Sequence, residues 1–374
     1  MTPDDALYRP AQPQAGPSAP AMLRQVSDSL LRLPYSVWSF GDSVAFEAMI
    51  AASDALGNER WLRFAQGAFR GWAARARPYT RLDCTAPGLA MVEAYLRTGD
   101  SLLLEAALGL AEYLIARPRL HGVYATWEHS PLQHPFGPGS LPPAEVQLLA
   151  QRPSGVFVDC LHFDPPFFAA LGAVTGEEQW TAEGVGQALG YVRLLQEDSG
   201  LFAHFVIDGS PSRYGSGWSR GQGWALLGLL NVLGCIGRDH EGRADLTAAA
   251  RRLAEAMLRL QRPDGHWYAV ADNPQSGDET STAAFMAAAL PAAGQLTGVA
   301  GTDAAAQSAL AAACAATSPE GTLTGVSAAV NACTQISHYA HVPRGFVVPW
   351  GQGPLALALA GQATASDDRR RENS

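Results

Sequence analysis

Trp224-Ala-Leu-Leu-Gly-Leu-Leu-Asn-Val-Leu-Gly-Cys-Ile236 is apolar nearly all round when wound as a helix. A helix tolerates that pattern only when it is packed on every side, so the stretch predicts an inner helix. Glu59–Arg75 is its opposite: Trp61, Phe64, Ala65, Ala68 and Trp72 recur at helical spacing, while Arg60, Arg63, Gln66 and Arg70 lie across from them. This reads as an amphipathic outer helix with one face in water. The two kinds alternate along the chain.

Short turns with a glycine placed as a left-handed cap join them: Leu56-Gly57-Asn58, Thr98-Gly99-Asp100, Thr175-Gly176-Glu177, Ile236-Gly237-Arg238 and Thr297-Gly298. At the opposite ends of the inner helices, Asp42, Asp83, Asp159, Arg220, Glu279 and Trp350 each precede or open an apolar run. Two of those starts resemble copies, Ser219-Arg-Gly-Gln-Gly-Trp-Ala-Leu-Leu-Gly-Leu and Pro349-Trp-Gly-Gln-Gly-Pro-Leu-Ala-Leu-Ala-Leu. Six inner helices with outer partners make a closed all-α toroid, an (α/α)6 barrel. Its last inner helix, near 353–361, pairs with an N-terminal helix near 21–33. Six N-termini then point at one cavity, and their dipoles favour an anionic ligand there. Pro291, inside the helical pattern from Thr282 to Leu296, is expected to kink that helix or end it early.

The 374 residues include 38 Gly and 25 Pro and carry a formal charge of −9, with no basic stripe for phosphates, so a nucleic-acid partner is not expected. Lysine is absent and all 26 basic side chains are arginine, which removes Schiff-base chemistry, a lysine base and the lysine-containing phosphate loop. Five scattered cysteines form no C-x-x-C pair, which suits a reducing, cytoplasmic setting without a disulfide framework or zinc ribbon. Residues 1–20 read as a disordered segment rather than a signal peptide, and no run is long enough to span a membrane. A single barrel domain is expected over 21–362, with 363–374 as a solvated tail. No metal or organic cofactor is expected, and the chain should be a monomer or small homo-oligomer.

The chemistry concentrates around Gly155-Val-Phe-Val-Asp159-Cys-Leu-His-Phe-Asp-Pro-Pro-Phe-Phe168, where Asp164 reads as an N-cap and Pro165-Pro166 as first-turn residues. Asp159 thus faces whatever lies over a helix start. Taken alone, an aspartate there is usually a cap, and a lone His204 usually a hydrogen-bonded structural histidine. Three other patterns point nowhere. Gly217-x-Ser219-x-Gly221 lacks the strand that a nucleophile elbow needs. His129 with His134 and His338 with His341 have no acidic companions and read as surface histidines. Cys84 and Cys160 have no basic neighbour to mark a reactive thiolate.

Five motifs in order resemble the unsaturated uronyl hydrolases: Arg-Leu-Asp83-Cys, Val-Asp159-Cys-Leu-His-Phe, Gly200-Leu-Phe-Ala-His204, Trp218-Ser-Arg-Gly-Gln-Gly-Trp224 and Asp278-Glu-Thr-Ser281. Over residues 35 to 360 the chain is similar to glycoside hydrolase family 105, the unsaturated rhamnogalacturonyl hydrolases, related to the family 88 unsaturated glucuronyl hydrolases. The resemblance implies hydration of the C4=C5 double bond that polysaccharide lyases leave on a non-reducing terminal uronate. It implies Asp159 as general acid/base and Asp83 as the second carboxylate. By the same likeness His204 would help place the water. Arg220 lies in a pocket motif whose family role is not fixed, and its charge suits pairing with the uronate, while Trp218 and Trp224 offer flat faces to a sugar. Tyr35 and Trp38 stand at rim positions, and Glu279 serves either the pocket or its own helix dipole.

The chain departs from the family pattern where Gln222 replaces the usual Asn and where Leu148-Leu-Ala-Gln-Arg152-Pro replaces a His-Lys pair, whose contacts are then either missing or supplied elsewhere, Arg152 being one candidate. The expected substrate is an unsaturated galacturonyl–rhamnose fragment of pectin. Other outcomes remain open: an unsaturated glucuronyl hydrolase, an ordinary two-carboxylate glycosidase using Asp83 and Asp159, or a sugar-binding barrel without catalysis.

Overall fold

The computed structural model describes residues 18–39, 41–75 and 87–372. Its helices are α1 (Ala19–Leu30), α2 (Asp42–Leu56), α3 (Arg60–Arg75), α4 (Gly88–Thr98), α5 (Ser101–Ile115), α6 (Pro143–Gln151), α7 (Asp164–Thr175), α8 (Glu178–Leu195), α9 (Ser219–Cys235), α10 (Arg243–Leu260), α11 (Ser281–Thr297), α12 (Thr302–Ala315), α13 (His338–His341) and α14 (Pro349–Glu372). Helices α2, α4, α7, α9, α11 and α14 touch in that order, and α14 closes on α2. Each is backed by an outer partner, with α1 lying against α14. The (α/α)6 toroid is therefore present, and the first and last helices close it.

Burial follows the two sequence patterns. Every residue of α9 from Ser219 to Leu230 is buried, whereas α10 buries one stripe, Leu246, Ala249, Ala250, Leu253, Ala254, Ala256 and Met257. In α3 the stripe is Trp61, Leu62, Ala65, Phe69 and Trp72, and Phe64 is exposed at its edge. Gly57, Gly99, Gly176 and Gly298 are left-handed helix caps as expected, but α9 ends on an extended Ile236 and Gly237 is not one.

Three expectations need correction. Of the two effects expected of Pro291, an early end does not occur, because α11 continues to Thr297 while packed against α9, α12 and α14. Asp164 is the first residue of α7 rather than its cap. Helix α14 is longer than 353–361 and runs past residue 363, where the composition reads as a solvated tail.

At one end of the ring the connections into the inner helices carry small antiparallel sheets. These are β1 (Arg119–Leu120) with β2 (Val123–Tyr124), β3 (Gly155–Phe157) with β4 (Phe205–Ile207) and β5 (Arg213–Tyr214), and β6 (Tyr268–Val270) with β7 (Asn273–Asp278). The sheet β3–β4–β5 fixes the site, because it joins the connection into α7 to the connection into α9. Gly228 in α9 lets the helix pass beneath that sheet's exit: a Cβ there would lie 2.2 Å from the carbonyl oxygen of Leu161. Among the described residues no helix is long and apolar enough to cross a membrane.

Candidate active site

Asp159 lies in a 3-10 turn, Val158–Leu161, directly after β3. The Val158 N–H donates to the His204 carbonyl at 2.8 Å, which extends the β3–β4 ladder by one step and brings Asp159 and His204 side by side. His204 Nε2 is 3.5 Å from Asp159 Oδ2. That is slightly longer than a formed hydrogen bond, a looseness common in unliganded acid–base pairs. Asp159 is 7% exposed and His204 4%, so the carboxyl keeps a narrow opening while most of its hydration is gone.

Around this pair the aromatic expectations divide. Trp218 is at the site: its ring lies 4.3 Å from the His204 ring and 5.0 Å from the Arg220 guanidinium. Trp224 is not a sugar platform. It is fully buried between Phe285 at 4.6 Å, His162 at 5.2 Å and Phe163 at 5.4 Å, and serves the core. Burying an aromatic side chain of that size contributes about 2–3 kcal/mol. Tyr35 is also packed, with its ring on Phe46 and Phe64 and its hydroxyl donating to the Leu30 carbonyl at 2.9 Å. Trp38 is buried against Trp72 and Tyr113. The reason is shared: the connection into α2 turns inward and covers the top of the α2–α3 hairpin instead of standing at a rim.

Arg220 opens α9 and has no exposed surface. Its Nη1 donates to Glu279 Oε1 at 3.3 Å and to Ser327 Oγ at 2.6 Å, and its Nη2 to the Ala328 carbonyl at 3.0 Å. Among the described residues only its Nε lacks a hydrogen-bond partner. The cation expected to meet the uronate is thus already paired inside the protein. Burial pulls its pKa below the ordinary arginine value, against the opposing attraction of Glu279 and Asp159. Glu279 in turn accepts from Ser281 Oγ, the Thr282 N–H and the Ser327 N–H, so it caps α11 and also neutralises Arg220.

Asp83, the expected second carboxylate, lies outside the described residues, as does Cys84. Arg152 is exposed, as the left-handed cap of α6. Ser219, the serine of the apparent nucleophile motif, donates its hydroxyl to the Tyr268 carbonyl at 2.6 Å and is structural. Asp42 accepts from the Ser36 and Val37 N–H groups, which holds Val37 at φ 60° in the left-handed region. Burial raises its carboxyl to about 7 despite those donors.

Tyr339 and Glu47 carried no usable sequence signal, and the partners of the motif residues Gln222, Gln352 and His162 were not legible from it. Tyr339 Oη is 2.7 Å from His204 Nδ1, across 135 positions of chain. Gln222 Oε1 accepts from the Phe202 N–H at 2.7 Å while its Nε2 donates to the carbonyls of Phe202 at 2.9 Å and Trp218 at 3.0 Å. Gln352 in the other Gly-Gln-Gly copy grips Leu323 in the same way, at 3.1 and 3.3 Å. The repeated motif is a clamp on the incoming strand, two residues before His204 in the first case. Behind Asp159, His162 Nε2 lies 3.1 Å from Glu47, which also accepts from Ser43 Oγ. His338, read as a surface residue, has no exposed area.

The profile of Glycosyl Hydrolase Family 88 matches residues 21–364. The chain is 26% identical over 325 residues to the unsaturated rhamnogalacturonyl hydrolase YesR of Bacillus subtilis strain 168, covering 86% of this chain and 88% of that one. It is 28% identical over 150 residues to the unsaturated glucuronyl hydrolase of Bacillus sp. strain GL1, covering 36% and 38%. Its fold is similar to that of a possible member of the GH105 family from Salmonella enterica, with a TM-score of 0.78 at 18% identity over 96% and 97% of the two chains. A profile that spans nearly the whole barrel, around a desolvated aspartate paired with a histidine, places the chain among the glycoside hydrolases as a member of Glycosyl Hydrolase Family 88, a family of unsaturated glycuronyl hydrolases.

Proposed function

We propose that this enzyme removes a C4=C5 unsaturated uronic acid from the non-reducing end of lyase-generated oligosaccharides, with unsaturated galacturonyl–rhamnose from pectin as its substrate. The observation that carries the reading is the Asp159–His204 pair, 3.5 Å apart and almost closed off from solvent. The preference for a rhamnose-linked substrate draws on the likeness to YesR, which extends over most of both chains, whereas the likeness to the glucuronyl hydrolase extends over little more than a third.

In this reading Asp159 gives its proton to C4, and the π electrons of the enol ether form the new C–H bond. Positive charge develops at C5 and is shared with the ring oxygen. Water adds at C5 and gives up one proton to the Asp159 carboxylate, leaving a hydroxyl on C5. The hemiketal then opens at the C5–ring oxygen bond, and the hemiacetal left at C1 collapses and releases the remaining sugar. Asp83 serves as the second carboxylate, and Trp218 lines the approach to His204. A cytoplasmic setting fits the five scattered cysteines of the sequence, which form no C-x-x-C pair.

The test follows the ultraviolet absorbance of the conjugated C4=C5 carboxylate during incubation with wild-type protein and with Asp159→Asn. Wild type should bleach an unsaturated galacturonyl–rhamnose disaccharide, and the variant should bind it without turnover. Bleaching of unsaturated glucuronyl disaccharides alone would overturn the pectin assignment. No bleaching of either substrate would overturn the proposed reaction.

A further inference from the structure

Tyr339 belongs to none of the motifs that mark the site, yet its hydroxyl is the second polar neighbour of the His204 ring. It sits in α13, a single turn held from both sides by the residue before it. His338 Nδ1 accepts from the Phe136 N–H at 3.0 Å, so its proton is on Nε2, which donates to the Val330 carbonyl at 2.7 Å. The His338 ring also stacks on Phe136 at 5.0 Å. Tyr339 itself is 2% exposed and packs against both His204 and Trp218. The chain is bare where the hydroxyl lies: Gly215 stands at φ +67°, and a Cβ there would fall 2.1 Å from Tyr339 Oη.

We propose that Tyr339 is a positioning residue whose hydroxyl donates to His204 Nδ1 and thereby fixes the imidazole in the tautomer that presents Nε2–H to Asp159 Oδ2. The inference rests on the hydrolase reading for its catalytic consequence, but its structural part stands on the contacts alone. A buried phenol must place its proton on an acceptor. Among the described residues the hydrogen-bond partner of Tyr339 Oη is His204 Nδ1, at 2.7 Å. Burial raises the phenol well above its ordinary pKa, so the proton stays on the oxygen. With Nδ1 serving as acceptor, a neutral imidazole carries its hydrogen on Nε2.

The consequence concerns which oxygen of Asp159 delivers the proton. With Nε2–H donating to Oδ2, the acid carries its proton on Oδ1, free for C4. Once that proton has left, the same N–H supports the new carboxylate. In the other tautomer the bare Nε2 would draw the acid's proton onto Oδ2, turn it away from the substrate and then face the carboxylate with a lone pair. Tyr339 therefore acts through His204 on the direction of proton delivery, without contact with the substrate.

The test is Tyr339→Phe, which removes one oxygen and keeps the ring. Nitrogen-15 spectra of histidine-labelled protein, with the His204 signals assigned by their loss in His204→Gln, report the tautomer directly and need no substrate. Wild type should show protonated Nε2 and unprotonated Nδ1 at His204. The variant should show a mixture of tautomers, together with a fall in kcat of about 10- to 100-fold at little-changed KM. An unchanged tautomer in Tyr339→Phe, or protonated Nδ1 in wild type, overturns the proposal, and so does a kcat within twofold of wild type. A wild type that hydrates no unsaturated uronide overturns the function instead, while the spectra still decide what Tyr339 does.

Discussion

Replacing Glu279 by glutamine would strand the Arg220 guanidinium. The two charges lie 3.3 Å apart with 0% and 2% side-chain exposure. At an effective dielectric constant near 20, their attraction amounts to about 5 kcal/mol, and it offsets desolvation costs of several kcal/mol per ion. The intact pair is therefore close to neutral in net stability, but an unmatched cation retains its desolvation cost. Glutamine preserves the shape, but its single oxygen can keep only one of the two backbone donors, the Ser327 N–H at the Oε1 position or the Thr282 N–H at the Oε2 position, and its NH2 faces the other. The loss, from the stranded charge together with that lost acceptor, is then about 3–5 kcal/mol. Urea unfolding of wild type, Glu279→Gln, Arg220→Met and the double variant measures this, with the slope m checked for constancy. The double variant should be more stable than the sum of the single effects by about 1.5–3 kcal/mol. A Glu279→Gln loss below about 1 kcal/mol, or additivity within about 0.5 kcal/mol, would refute the claim that Arg220 is held by the protein's own carboxylate.

Gln222→Met keeps the side-chain length but leaves the Phe202 N–H and carbonyl without their partner, at a cost of about 2–5 kcal/mol in unfolding free energy; a loss under about 1 kcal/mol would contradict the clamp. Asp42 has a folded pKa of about 7 against an ordinary 3.8, so the folded chain holds a proton that the unfolded chain releases. Its contribution is full below about pH 4 and is lost as pH rises through about 7, on the order of 2–4 kcal/mol. Melting curves across that range should therefore fall more steeply for wild type than for Asp42→Asn, and parallel curves would refute the assignment. Trp224→Phe should cost about 1–3 kcal/mol of stability through the void it leaves, with KM unchanged; a raised KM would return Trp224 to the sugar site.

The sequence made the barrel legible because helical periodicity is local. The all-round apolar run of α9 and the one-sided stripes of α3 and α10 each state their layer without reference to any distant residue. The position of Asp159 was legible for a similar reason, since a carboxylate ahead of a Pro-Pro helix start lies within one short segment. Trp224 was partly legible, because an indole inside an apolar helix is more easily buried than displayed. Tyr35 and Trp38 were misread as rim residues because nothing local says which way the connection into α2 folds. His338 was misread because its two ring partners, Phe136 and Val330, come from separate loops.

By itself, then, the sequence determined the helical layers, their number around the ring and the segment that sets Asp159 ahead of α7, all of them consequences of short-range spacing. Tertiary structure alone decided the partners: Tyr339 for His204 across 135 residues, Glu279 for Arg220 across 59, and Gln222 for the Phe202 backbone across 20. Polar side chains find those partners only after the ring has closed and the loops have settled over it. Burial then makes an unpaired donor or charge costly. Neither the closure geometry nor that cost is written in the spacing of residues along the chain.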